Sequence, residues 1–524
     1  MNARKLLLGL SSALLVLVLV GPALAGTLGT AKYDIHVSEL PGVGLRPPAL
    51  DRDNTLYVGA DNGRVYAINT DGTIKWNYNA GSPVTTNAAV YYSPDGQNAQ
   101  YDGTIYVGLE NGDVLALDPS GNQEWRFHAG SPINAAPALA ADGTIYVGKE
   151  PSVLVAITPD GDLKWSREII GSTQGIYDPV VGPDGTIYFG ARDDDHFFAY
   201  SPNGTLKWAE PSCYAWGPAA IGKDGTIYFV SEYALNALRP SGDKRWSRNV
   251  SQFGETLEAA PVIGHEDVIY VGADALLAIN RDSTWEWVFW GGPGGPPVPA
   301  ASAAVDNTGL IYFPAEDGNI YSVTPVGTFV WSYYAAVPHT WMSASVIGSD
   351  GLLHSTDTNR IRALYTGAPA PFNGPWPMYR HDAQCTARLD TPWTIADALA
   401  ELMVFVLDSD IDGRIKRQLV MRLDLTKRSL DMGLLLPAIH QLGAFINYVE
   451  AQEGKKIPEE LADVLIRDAL EILMLADGTH PRHGPRPCTC AWGRKAPRLA
   501  PCRRHRPMQV ASPHRQDCGA SKKR

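Results

Sequence analysis

Residues 141–168 read ADGTIYVGKEPSVLVAITPDGDLKWSRE, and the meaning of this stretch decides the fold. Asp142-Gly143 and Asp160-Gly161 offer the positive φ angles that tight hairpins need. Between them lie two short apolar runs, IYVG at 145–148 and LVAI at 154–157, and Trp165 follows Ala156 by nine positions. Runs of that length, rich in β-branched and aromatic residues and bounded by turns, are strands.

The same stretch recurs in both directions. Its apolar anchor appears as LYVG (56–59), IYVG (105–108), IYFG (187–190), IYFV (227–230), IYVG (269–272), IYFP (311–314) and LLHS (352–355). The second residues, Tyr57, Tyr106, Tyr146, Tyr188, Tyr228, Tyr270, Tyr312 and Leu353, are spaced by 40–42 positions except for a first gap of 49. A second register runs beside the first. Ala67/Trp76, Ala116/Trp125, Ala156/Trp165, Ala199/Trp208, Ala237/Trp246, Ala278/Trp287 and Ser322/Trp331 each stand nine apart. A period near forty with about four strands per period is the signature of a propeller blade. Two registers in step predict a mainly β fold: an eight-bladed β-propeller over 45–385, followed by a small α-helical bundle.

These residues carry a resemblance. Anchors of the IYVG kind followed by the alanine-to-tryptophan spacing resemble the PQQ-like (quinoprotein-type) β-propeller repeat. In the eighth repeat Ala363 is followed by Trp376 only after thirteen positions, within GPWPMYRHDAQCTAR. Trp376 is read as the last blade's outer-strand tryptophan, reached through a longer loop. The resemblance implies, for the quinone-dependent oxidoreductases of that type, a vicinal cysteine pair and a calcium-held PQQ. No two cysteines are adjacent in this chain, so no cofactor is expected, and PQQ enters only if an oxidoreductase reading holds. In its repeats only, the chain also resembles a propeller lipoprotein that assists outer-membrane barrel assembly. This chain has no cysteine at the expected cleavage point to accept a lipid.

At the N-terminus, Arg4 and Lys5 precede an apolar run from Leu6 to Val20 and then Ala23-Leu24-Ala25. That order of charge, apolar core and small residues predicts a signal peptide over 1–25, cleaved after Ala25, and a secreted or periplasmic location without a stable membrane anchor. Residues 26–44 read as an N-terminal linker. Of the six cysteines, only Cys213 and Cys385 accompany the propeller, too few for a disulfide scaffold.

After Asp390 the apolar period changes from two to three and four: Leu399, Leu402 and Val406, then Ile415, Leu419 and Leu423, then Ile439, Leu442, Ile446 and Val449, then Leu465 and Ile466. Helical stripes of this kind predict about four helices over 392–477. The run from Ala444 to Ile457, AFINYVEAQEGKKI, resembles the FIMAH domain, which implies an accessory role and no catalysis. The segment 478–524 is basic and lacks apolar periodicity, so it reads as a disordered tail. The chain as a whole carries a net charge of −12, which argues against nucleic acid as a ligand of the propeller.

Chemistry-bearing patterns are few. Asp408, Asp410 and Asp412 before Gly413 open like a calcium loop, but the twelfth position, where a bidentate acid belongs, is Leu419. An interhelix turn explains them as well. Asp193-Asp194-Asp195-His196 reads as an exposed charged turn, since adjacent residues of a turn point apart. No metal site and no catalytic residues are expected. If the propeller binds a small ligand, the rim of the central channel is the expected place. There the leading ends of the innermost strands offer Asn87, Asn134, Tyr177, Trp216, Glu258 and Trp341. Aromatics beside amides and an acid suit a sugar or a peptide, and channel plugs would use the same residues. The function expected is that of an exported non-enzymatic propeller scaffold for an unknown protein or extracellular polymer partner. Alternatives are a quinone-dependent oxidoreductase and a glycan-binding propeller.

Overall fold

The computed structural model describes residues 27–36 and 44–367, apart from 95, 170, 194–195, 212–214, 254–258, 292–298, 300 and 337–341. Beyond these it describes Met378, Arg380 and Asp382 and parts of 399–469. The proposed signal peptide, Trp376 and the basic tail lie outside the described residues.

Eight four-stranded antiparallel sheets follow one another along the chain. In the first blade the order from one edge to the other is Ala49–Leu50, Leu56–Gly59, Arg64–Ile68 and Ile74–Asn79. The second strand is buried along its length and the third from Val65 onward, whereas the fourth is a mix of exposed and half-buried residues. Short first strands ring the channel, and the fourth strands form the outer wall. This is the eight-bladed propeller that the two repeat registers predict.

Each period of sequence supplies the same packing unit. The anchor tyrosine of the second strand lies beside the tryptophan of the fourth, with ring centroids 5.6–5.9 Å apart in seven blades. The tryptophan then reaches into the next blade. Trp76 Nε1 donates to the Pro119 carbonyl at 3.0 Å, Trp125 to Pro159 at 2.8 Å and Trp287 to Pro325 at 2.6 Å. Gly121, at φ 86°, presents its Cα against the Trp76 indole, where an added Cβ would fall 2.7 Å from Cδ2. Glycine is needed there twice over, for the left-handed backbone and for the close approach.

The eighth blade is closed by the two ends of the domain. Its outer strand is Ala31–His36, paired with Arg360–Tyr365. The stretch read as a linker over 26–44 therefore contributes a strand, and Trp376 is not needed for the outer position. The turn between third and fourth strands is here split in sequence yet keeps the hydrogen bonds of an intact hairpin. In the first blade Gly72 N–H donates to Asn69 O at 2.9 Å and Asn69 N–H to Thr73 O at 2.8 Å. In the eighth, Gly29 donates to Tyr365 at 2.9 Å and Tyr365 to Thr30 at 3.0 Å. Gly29 packs on Trp331 of the seventh blade as Gly121 packs on Trp76.

Register also shifts one expected residue. Tyr57 lies opposite Ala67, and its counterpart opposite Ala363 is His354, not Leu353. The eighth anchor is thus LHST at 353–356, and His354 is fully buried with its ring centroid 6.3 Å from that of Tyr33.

The helical module has its own core, built from Leu399, Leu402, Val406, Leu419, Leu423, Leu442, Phe445 and Val449 with their neighbours. Helices α1 (Gly413–Asp431) and α2 (Leu435–Gln452) pack side by side. Asp412 caps α1, its Oδ1 accepting from Arg414 N–H at 2.9 Å and Ile415 N–H at 3.3 Å. Leu419 is fully buried in the core. That capping role accounts for Asp412, while Asp408 and Asp410 lie outside the described residues. Among the described residues, no helix is long and apolar enough to cross a membrane.

Candidate functional site: the channel and its rim

The leading end of each inner strand is fixed by a bridge to the residue three past the anchor. Leu45 meets Ala60, Val84 meets Leu109, Ile133 meets Lys149, Ile176 meets Ala191 and Ala215 meets Ser231. The position one residue later belongs to Arg46, Thr85, Asn134, Tyr177 and Trp216. Three residues expected at the rim, Asn134, Tyr177 and Trp216, therefore stand in one register on successive blades.

Their surroundings differ. Asn134 is half-buried, and its Oδ1 is enclosed without a hydrogen-bond partner among the described residues. Gly175 backs onto its amide so closely that a Cβ there would lie 2.2 Å from Nδ2. The Arg192 guanidinium sits 5.1 Å from the Tyr177 ring centroid and donates to the Asn134 carbonyl at 3.3 Å, tying the fourth blade to the third. Burial pushes the Tyr177 hydroxyl up, against the opposing effect of Arg192. Trp216 pairs opposite Val230 within Ala215–Ile221. Glu258 and Trp341 lie outside the described residues.

Two positions were missed from sequence. Arg46 Nε donates to Val84 O at 2.9 Å and its terminal nitrogen pairs with Asp61. Thr85 Oγ1 donates to Ile133 O at 2.5 Å. Both act laterally, each on the backbone of the next blade. The available signal was the apolar residue just before each, Leu45 and Val84, in step with Ile133 and Ile176. Asn87, chosen in place of Thr85, lies two residues further along and is buried, its amide donating to Ala88 O. In the eighth blade Met342 makes the same bridge to Asp357, so the register places Ser343 at the matching position.

Deeper in the channel sit residues from beyond the last blade. Met378 bridges antiparallel to Ala304 of the seventh inner strand and is buried. Arg380 is fully buried, with Nη1 3.2 Å from Asp178 Oδ2 of the fourth blade. Its Nη2 donates to the Pro137 carbonyl of the third. The other oxygen of Asp178 accepts Ala136 N–H at 2.8 Å, which aims the carboxylate. In an eightfold ring, blades three and four face blades seven and eight. Met378 and Arg380 therefore span the channel. Ala135, Ala136, Ala259, Ala260 and Ala303, on or just before the inner strands, are all buried.

The charged turn of the fourth blade is partly accounted for. Asp193 accepts from Ser172 Oγ at 2.5 Å, Thr173 N–H at 2.8 Å and Thr173 Oγ1 at 2.6 Å. Burial pushes its carboxyl up, but these bonds outweigh burial and bring it to about 2. Asp193 thus organises the loop from Ser172 to Gly175. Asp194 and Asp195 lie outside the described residues. Among the described residues, no three His, Cys, Asp or Glu side chains are grouped to hold a metal ion.

The repeats match a family described as outer membrane protein assembly factor BamB, over residues 38–126 and 110–324. The chain belongs to this family. A second family, the FIMAH domain, matches residues 395–474. Among solved structures, BamB from Moraxella catarrhalis is 16% identical with a TM-score of 0.50, covering 64% of this chain and 99% of its own. The computationally designed Ika8 protein is 12% identical with a TM-score of 0.51, covering 63% and 98%. Virginiamycin B lyase from Staphylococcus aureus with quinupristin is 12% identical, covers 64% and 98%, and has a TM-score of 0.43. At these identities the likeness is one of fold. No curated protein matches the chain.

Proposed function

We propose that this chain is an exported, non-enzymatic scaffold that presents the faces of its propeller to a protein partner. The observation that carries this reading is the match to an assembly-factor family across most of the blades. The filling of the channel supports it. Where a propeller enzyme would seat a ligand on its axis, Met378 and Arg380 already occupy the space, leaving the faces and outer wall for contact. Outer-wall side chains such as Trp290 and Tyr334 are more than half exposed, and aromatic residues are favoured at protein contacts. The apolar N-terminal run and the family both favour an extracytoplasmic location.

The reading is tested in two arms. Photo-crosslinking from Trp290, Tyr233 and Tyr334 in the native host should trap one defined protein from a subset of positions. A uniform smear from all three would discard a specific scaffold. Purified protein supplied with PQQ and calcium should show neither cofactor absorbance nor dye-linked oxidation of alcohols or sugars, and reproducible turnover would replace the scaffold reading with the oxidoreductase one.

A further inference from the structure

We propose that the channel is a peptide-binding site for an arginine-bearing segment, and that the chain fills it in cis with Met378 and Arg380. The inference goes beyond the scaffold reading, because it concerns the axis of the propeller and not its outer surfaces.

Three observations carry it. First, the contacts are those of peptide recognition. Met378 adds a backbone bridge to the free side of an inner strand, as a docked strand would, and Arg380 meets a carboxylate and a carbonyl. Second, the receiving groups are set by the blades themselves. Asp178 is aimed by the Ala136 N–H of the neighbouring blade, and the Pro137 carbonyl belongs to the same inner strand, so the site exists apart from its occupant. Third, the occupant fits imperfectly. Arg380 holds a left-handed backbone at φ 58°, and its buried Nε has no hydrogen-bond partner among the described residues. Strain and an unmatched buried donor weaken the seated state and leave it open to exchange with a better-fitting segment. A covalently attached occupant enjoys a high effective concentration, so it wins against free peptide until its own contacts are weakened.

The probe is a labelled synthetic peptide with the sequence of residues 374–384, GPWPMYRHDAQ. It is added to the full chain as wild type, as Arg380→Ala, and as Arg380→Ala with Asp178→Asn, each checked for folding by circular dichroism. Fluorescence anisotropy should show binding to Arg380→Ala at least roughly tenfold tighter than to wild type. The second substitution should abolish that gain, and a peptide whose own arginine is replaced by alanine should not bind. Equal binding to all three proteins, or none to a folded Arg380→Ala chain, overturns the proposal. If Arg380→Ala does not fold, Arg380→Lys takes its place, since it keeps the cation and loses the forked donation. Peptide binding to a folded lysine variant no tighter than to wild type overturns the proposal equally. None of these outcomes bears on crosslinking from the outer wall, so the two readings fail separately.

Discussion

Tyr33 stands directly opposite Ala363, 330 positions later in the chain, where each of the first seven blades places a tryptophan opposite its alanine or serine. Its ring packs against Gly72 of the first blade, 2.9 Å from where a Cβ would stand, and its hydroxyl meets His354 Nδ1 at 3.2 Å. One residue thus closes the eighth sheet and joins it to the first. Replacing Tyr33 by alanine removes a buried aromatic and should cost about 3–5 kcal/mol. Tyr33→Trp, which restores the residue of the other blades, should retain most of that stability. Urea melts followed by tryptophan fluorescence decide the matter.

The same closing strand is held by charge. Asp34 lies between Arg360, at 3.0 Å, and the buried Arg362, at 3.4 Å. Asp34→Asn keeps the shape and removes the charge, leaving Arg362 with Asp357 as its remaining partner at 2.8 Å. A loss of about 1–3 kcal/mol is expected, the cost of an under-paired buried group. Limited proteolysis should then cut the N-terminal strand before the rest of the propeller. Simultaneous unfolding of all blades would show that the strand is not the weak point.

The blade count and the strand order within a blade were legible because two registers repeat in step, and packing demands both at once: Tyr106 needs Trp125, and Trp125 needs the turn at Pro159. The closure was not legible. A split turn leaves no hairpin signal, since Gly29 and Tyr365 are far apart in sequence, and tyrosine replaces tryptophan. The one-residue slip at Leu353 arose because LLHST offers a leucine at both candidate starts of the anchor, 352 and 353, and only the pairing of His354 with Ala363 separates them. At the rim, bulges between the fixed ends of the inner strands shift the count by one between blades. Thr85 was passed over for Asn87 because the NAA at 87–89 copies the NAA at 134–136, although the bridges at Val84 and Ile133 set Asn87 two places further along. The channel occupant was hidden for another reason: nothing local in MYRHD reveals that Arg380 meets Asp178 some two hundred residues upstream.

Glycine at the blade seams makes a separable prediction. Gly121 and Gly81 both have left-handed backbones, at φ 86° and 79°, but only Gly121 faces an indole, and an added Cβ at Gly81 meets nothing within 4 Å. Each alanine substitution carries the left-handed penalty of roughly 1–2 kcal/mol. Gly121→Ala should exceed Gly81→Ala by about a further 1–3 kcal/mol, because Trp76 must shift in a packed seam. Equal losses would mean that the seam yields freely.

Two tryptophans of the same repeat should respond differently to phenylalanine. Trp287 donates its indole N–H to Pro325, whereas the buried Trp331 Nε1 has no partner among the described residues. Trp287→Phe gives up a hydrogen bond and leaves a carbonyl uncovered, for a loss of about 0.5–1.5 kcal/mol beyond the change in ring size. Trp331→Phe removes a buried donor that was already unmatched, so the ring change is its only cost. Thermal melts of the pair should rank Trp287→Phe as the more damaging, and the reverse order would assign Trp331 a hidden partner.

Asp193 gives the pH dependence of the rim. Against the push of burial, hydrogen bonds from Ser172 and Thr173 hold its folded carboxyl at about 2, well below the ordinary aspartate range. A group whose pKa is lower folded than unfolded stabilises the fold above the unfolded value, and that contribution fades as pH falls through the folded value. The loop from Ser172 to Gly175 should therefore stay closed at pH 4 and above and open as pH falls from about 4 towards about 2. Because Gly175 backs onto Asn134, opening should also free the Asn134 amide and disturb the stacking of Arg192 on Tyr177. Amide exchange at Thr173, whose N–H donates to Asp193, reports the change directly. In Asp193→Asn the acceptor charge is gone at every pH, so protection there, relative to an unstructured amide at the same pH, should be low at neutral pH and flat across the window. Exchange that stays slow in the variant would show that other contacts hold the loop.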